Sequence, residues 1–449
     1  TCLYDDDGTN SYADMSGVSD GTVTVTATVS GTTSGNFFAT QDITKPTMTV
    51  DSTAIDSGDT TNTAAIALTF VSSEATTNFV VGDITASGCT LSSFAGSGSS
   101  YSATCTASAS GAVTVKVNAG AYTDSVTNGN TVSNTFAWTA DITAPTLTSV
   151  AIASNNPTTT LSKDGNTITI TMAASETIGT PTCDIKFGGT SATNAESLTN
   201  TAGNTWTCAV IVHDNDADGT VTFTLDFTDA NGNAGTQVTG TTDGSSVTHD
   251  DTVPTLTSVT IAGNGDSSSR SNDGDTVTIT FVSSETIQTP PTCDMEFGSG
   301  ADATNAESIA NPSGNTWTCA VVTTDSEAEA AVVFSLGFTD SAGNAGVAVT
   351  ATTDGTSVTH DDTVPTLSNI VEATTGTGEA NDGDTVSLTI TASENIQQPT
   401  CTFSSGGDAM ANSPSYSGSG TSWTSSVTVA DGDTNGDVTF SCAFSDVAG

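Results

Sequence analysis

The sequence predicts an all-β chain of tandem two-sheet sandwiches, and three observations carry that prediction. A junction phrase recurs four times, as DITKPT (42–47), DITAPT (141–146), DDTVPT (250–255) and DDTVPT (361–366). Between junctions, apolar and polar residues alternate with period two and Val, Ile and Thr dominate, which marks strands with one buried face. No segment shows a 3.6-residue period, so helix should be minimal.

The elements follow in a fixed order. The junction prolines Pro46, Pro145, Pro254 and Pro365 are 99, 109 and 111 residues apart. An acidic turn then leads into a strand ending in Ser-Glu, at 163–176, 272–285 and 381–394. A Pro-Thr-Cys phrase follows at Cys183, Cys293 and Cys401. NTWTCAV (204–210) recurs at 315–321 and, degraded, as TSWTSSV (421–427). The phrase GTVTFTLDFTDANGNAG (219–235) recurs in altered form at 331–346 and 437–449. About seven short strands per roughly 100–110 residues describe an immunoglobulin-like β-sandwich. The fold class is therefore all-β, a linear array of immunoglobulin-like β-sandwich domains. One Trp per repeat (Trp206, Trp317, Trp423) and the Phe pairs Phe223/Phe227, Phe334/Phe338 and Phe440/Phe444 read as core.

The Pro-Thr junction, the strand ending in Ser-Glu and the F-x-D-x-x-G-N turn resemble tandem bacterial Ig-like repeats of large extracellular adhesins and surface filament proteins. The resemblance implies five segments: 1–45 the C-terminal part of an Ig-like domain, 46–144 a domain of a second subtype, and 145–253, 254–364 and 365–449 further domains. The chain begins inside a domain and stops at Gly449, where other repeats read on to a last strand. The expectation is a window on a longer chain. The alternative is an open edge that accepts a strand from a neighbouring molecule.

Charge sets the partners. The chain has 449 residues, 50 Asp+Glu and 5 Lys+Arg, for a net charge of −45. The bases are Lys45, Lys116, Lys163, Lys186 and Arg270, too few to neutralise nucleic-acid phosphate or an anionic membrane. They also leave trypsin-like proteases little to cut, which suits an extracellular or cell-surface location. No stretch reaches the ~18 apolar residues of a membrane helix, and no signal peptide is visible. No Asn begins a glycosylation sequon; Asn156 and Asn311 come closest and precede Pro.

The 9 Cys read as disulfides of an oxidising compartment. Cys89–Cys105, Cys183–Cys208 and Cys293–Cys319 each lie within one repeat, on strands read as C and E, and should tie its two sheets together. In the last repeat Ser425 stands where the second Cys is expected and Cys442 appears on the next strand, so Cys401–Cys442 is the expected pair. Cys2 is left over, its partner expected upstream.

Two acidic patterns are candidate calcium sites. Asp214, Asp216 and Asp218, followed by Gly219, open like an oxygen-rich calcium loop, and Asp431, Asp433 and Asn435 correspond in the last repeat. Leu225 and Cys442 occupy the twelfth positions, which excludes an EF-hand. A solvated turn is an equal reading. The second pattern is at the junctions: Asp250 and Asp251, Asp361 and Asp362, the Ser-Glu residues Glu176, Glu285 and Glu394, and the Asp-x-x-Gly-Asn turns at Asp229 and Asp340. Calcium here competes with plain turn-capping carboxylates. His249 and His360 beside the paired aspartates read as surface residues rather than zinc ligands.

No catalytic motif is present, and the acids recur in every repeat as scaffold residues do, so no enzyme is expected. The expected function is an extracellular structural protein, a disulfide-stapled rod of Ig-like repeats forming a surface filament or stalk, with the chain itself as partner. The alternative is an adhesin whose repeats bind a glycan or a cell-surface partner in a calcium-dependent way. Ice binding would require flat, regular Thr ranks, and the T-x-T runs are short.

Overall fold

Strand follows strand through the chain, and the one helical element among the described residues is a single 3₁₀ turn, Val81–Asp83. The structure is a computed structural model describing residues 3–4, 10–11, 21–29, 32–265, 267–298, 301–376 and 378–448. Cys2 and Gly449 lie outside the described residues. So does much of the segment 1–45, in which Leu3–Tyr4 pairs with Asn10–Ser11 and Gly21–Val29 with Thr32–Gln41.

Contacts gather the chain into two units. One runs to Ile152 and takes in Thr169–Val210 and Thr222–Ser246; the other holds Ala153–Ile168, Ile211–Val221 and the chain from Val247 onward. In the first unit, Met48–Asp51, Ala65–Thr76 and Cys89–Ala107 form one sheet. Thr60–Thr61, Phe136–Ala140, Gly111–Val117 and Ile84–Ser87 form the other. Between them lies a core that includes Leu68, Phe70, Val115 and Trp138. Farther along the same unit, Thr182–Phe187 pairs antiparallel with Thr222–Asp226.

The second unit shows the sandwich twice. In its first copy the sheet order is Leu256–Gly263, Thr276–Ser283, Thr316–Val322, Ser308–Ser313. Facing it are Ala301–Asp302, Thr292–Phe297 and Val332–Gly337. The strand TVTITFVS shows why the period-two pattern works. Val277, Ile279 and Phe281 are fully buried, whereas Thr276, Thr278 and Thr280 lie on the outer face. Trp317, Phe334 and Phe338 complete the core. The last repeat copies this order with Leu367–Thr374, Thr385–Ala392, Ser422–Thr428 and Ser415–Ser419. Its Ile370, at the position of fully buried Val259, is 44% exposed.

The four cysteine pairs close as disulfides, but not all in the same way. Cys183–Cys208 and Cys293–Cys319 join strands of the two facing sheets. Cys401 and Cys442 are direct cross-strand partners within one sheet, with Cα atoms 4.0 Å apart. Cys89–Cys105 corrects the expectation of a bond between sheets. Both residues belong to the segment Cys89–Ala107, which folds back on itself near Gly96 and Gly98, both at positive φ, so the bond closes a hairpin.

Candidate metal centres

Four groups of three carboxylates recur, each with ligand oxygens within 4.8 Å of one another: Asp42/Glu74/Asp124, Asp141/Glu176/Asp229, Asp250/Glu285/Asp340 and Asp361/Glu394/Asp446. The first member of each stands four residues before a junction proline. The second is the Glu of the Ser-Glu strand end, and the third opens the turn at the end of the repeat's last long strand phrase.

Local hydrogen bonds dictate this convergence. The Ser before each Glu clasps the Thr after the proline in both directions. Thr255 N–H donates to Ser284 Oγ (3.0 Å), and Ser284 N–H donates to the Thr255 carbonyl (2.8 Å). Ser73, Ser175 and Ser393 hold Thr47, Thr146 and Thr366 in the same way. The clasp carries the Glu to the linker. The third carboxylate is fixed by its own turn: Asp229 accepts from Asn231 N–H, Asn233 N–H and Asn233 Nδ2. That amide also donates to the Asp141 carbonyl (2.8 Å), and Asn128 and Asn344 do the same to Asp42 and Asp250. Linker, strand end and turn are thereby locked together.

Electrostatics separates the members. Burial, then the carboxylates of Asp250, Asp340 and Asp218, push Glu285 above its ordinary value. Burial does the same for Asp250, with Asp340 and Asp218 adding to it against hydrogen bonding from Thr252 and the nearby His249. Glu394 is likewise raised, first by burial and then by Asp361, Asp446 and Glu329, with Arg270 opposing. Burial also works against ionised Asp229 and Asp124, but their turn hydrogen bonds outweigh it and hold both below the usual range. Glu285 Oε1 and Glu394 Oε1 are buried and make no hydrogen bond. Oxygen-only donors with crowded negative charge suit a hard divalent cation, and their number fits part of a calcium shell better than zinc, which prefers nitrogen and sulfur. The groups differ in one respect. Arg270 Nη1 lies 2.8 Å from Asp361 Oδ2, whereas Lys163, at the Asp250 group, donates to the Gly343 carbonyl instead.

The structure thus brings together Asp250 with Glu285, Asp361 with Glu394, and Glu176 with two carboxylates, but it sends other candidates elsewhere. Asp251 and Asp362 turn away from the groups, toward His249 Nε2 (3.1 Å) and His360 Nε2 (2.9 Å). Those histidines are fully buried, which corrects the surface reading. The two-residue strand Thr248–His249, paired with Leu161–Ser162 and Gly219–Thr220, points its imidazole inward, where Nδ1 meets Ser162 Oγ at 3.4 Å. The Asp214 run does not converge either. Asp214 Oδ1 meets His213 Nδ1, Asp216 accepts from His213 N–H, and Asp218 accepts from Asp251 N–H and Thr252 Oγ1. In the last repeat Asp433 accepts from Ala430 N–H and Ala411 N–H, while Asp431 and Asn435 are exposed. Of these carboxylates, Asp216 and Asp433 close turns by accepting the N–H three residues before them. The residues missed by sequence reasoning are Asp42, Glu74, Asp124, Asp141 and Asp446. For Asp42 and Asp141 the signal was available in the position four before every junction proline, single in the first two junctions and masked by doubling in the others, and for Glu74 in the Ser-Glu strand end.

The family comparison agrees with this architecture over one repeat. Residues 42–140 match the family model of a bacterial Ig-like domain. No curated protein matches the chain. Among solved structures, a tetra-tandem repeat from the extending region of a large adhesion protein aligns at 15% identity and TM-score 0.26, over 90% of this chain and 100% of that one. The titin I-band fragment I67–I69 aligns at 9% identity and TM-score 0.32, over 68% of this chain and 95% of that one. With sandwiches recurring at the spacing of the junction phrase and the family match at 42–140, the chain is a tandem Ig-like repeat protein.

Proposed function

We propose that the chain is an extracellular structural protein, a disulfide-stapled array of Ig-like repeats forming a surface filament or stalk, whose linkers are stiffened by calcium. The observation that supports this most is the fourfold recurrence of one linker carboxylate with two from the repeat that follows it. A cation bridging the three would relieve their mutual repulsion and fix the linker against its sandwich. Such a use needs no substrate cleft and no nucleophile, in keeping with a protein of structural rather than catalytic kind.

Scanning calorimetry of the full chain in chelator and in calcium tests the proposal. Calcium at about 100 times its Kd should add about 2.7 kcal/mol to each repeat it binds, raising the melting transitions by roughly 10 °C or more. Glu285→Gln should lose that rise in its own repeat only. Identical transitions in chelator and calcium would overturn the calcium part. Electron microscopy of native surface material checks the remainder, with ordered filaments or beaded stalks expected and compact isolated particles opposing.

A further inference from the structure

In a chain of net charge −45, one kind of broad sheet face carries no charge, and the strands at 147–154, 167–174, 205–211 and 197–202 share it. Two further instances are the outer faces of the four-stranded sheets in the repeats at 254–364 and 365–449. In the first, strand register aligns Thr260, Thr280, Thr318 and Ala310 across all four strands. In the second, the same rank is Val371, Thr389, Thr424 and Ser417. The neighbouring rank there is Ala373, Ser387, Ser426 and Ser415. Two apolar side chains stand out on these faces, Val322 at 45% and Val371 at 47% exposure. In the 254–364 repeat the facing sheet differs, its outer surface carrying Asp294 and Glu296 opposite Ser335 and Val333.

We infer that these uncharged faces are where a second copy of this chain docks, sheet against sheet. Charge selects the occupant. On the facing sheet of the 254–364 repeat, two copies would set Asp294 and Glu296 against their like with few bases to intervene. On this face, methyl and hydroxyl groups meet their like, and a basic or acidic partner finds nothing to pair with. Four strands about 4.8 Å apart and about seven residues long offer roughly 450 Å² per repeat. Each face thus offers about half of the ~800 Å² per partner of a standard interface, so an association engaging both faces is the stable one. Small side chains permit the ~10 Å approach of packed sheets. The inference deepens the structural reading above by naming its contact surface, and it does not depend on calcium.

Sedimentation velocity of the full chain at low and high salt tests it. Wild type should associate with rising concentration, and more strongly with salt, because screening weakens the repulsion between copies. The double variant Thr280→Glu/Thr389→Glu should weaken association at least tenfold (about 1.4 kcal/mol). Its melting and near-ultraviolet dichroism should match wild type, and it should keep any calcium-dependent rise in melting. Ser335→Glu, on the charged sheet, should associate as wild type does. A wild-type monomer up to about 100 μM, above the micromolar Kd range of weak specific contacts, would overturn the inference. So would a double variant that associates undiminished, or a loss in Ser335→Glu of the same size. Loss of the calcium response with association intact would remove the calcium reading and leave this surface standing.

Discussion

Each linker aspartate stands four residues before a proline, and that spacing gives it its company. The Ser clasp brings a Glu beside it, and the Asp-x-x-Gly-Asn turn brings a second Asp whose charge the turn itself stabilises. Across the groups, the raised and the lowered carboxylates therefore respond oppositely to acid. Glu285, Asp250 and Glu394 have folded-state values above their unfolded ones, so they bind protons more readily when folded. Their penalty is full at neutral pH and lifts as pH falls through those raised values. Asp229 and Asp124 are lowered, and the stability they contribute is lost only as pH drops below about 4, the unfolded range. In chelator, melting temperature should therefore rise as pH falls from neutral through the raised values and fall again below about 4, which a calorimetric pH series checks. In calcium the upper limb should flatten or reverse, because protons and cation compete for the same oxygens. At the Asp361 group the Arg270 guanidinium already offsets part of the charge, so its limb should be the shallower.

At the scale of the element, most of the fold was legible in sequence. TVTIT and NTWTCAV place their residues on the faces that a period of two predicts, because a sandwich strand has one dry side and one wet one. What escaped detection depended on very short elements and on turns. Two-residue strands such as Thr248–His249 have no period to read, so burial of His249 and the inward use of Asp251 could not be foreseen. The fold-back of Cys89–Ala107 depends on glycine dihedrals rather than on alternation. The junction carboxylates were half legible, since the doubled aspartates drew attention to the pair when only its first member recurs at every linker. One element-level consequence is local. Ser425 takes the place of a half-cystine on its strand and is fully buried with no partner for Oγ. Ser425→Ala should stabilise the last repeat by about 1 kcal/mol, read as a rise in its denaturation midpoint, because a buried unpaired hydroxyl is removed at nearly constant volume.

Across the whole molecule, stability is divided among sandwiches with separate cores, and the strands of the four-stranded sheet at 254–364 carry none of the charge. The disulfides are distributed too, and their placement has a mechanical meaning. If the chain is pulled from its two ends, residues enclosed by a covalent loop cannot join the lengthening strand. Cys183–Cys208 and Cys293–Cys319 enclose separations of 25 and 26 residues, and Cys401–Cys442 encloses 41. At 3.3–3.6 Å per extended residue, each of the first two withholds about 80–90 Å and the third about 135–150 Å. Single-molecule force spectroscopy should show contour increments shorter by those lengths in oxidising buffer than after reduction. Each cystine thus acts as a stop on a tether, limiting how far an opened repeat can let the chain run before the next repeat takes the load.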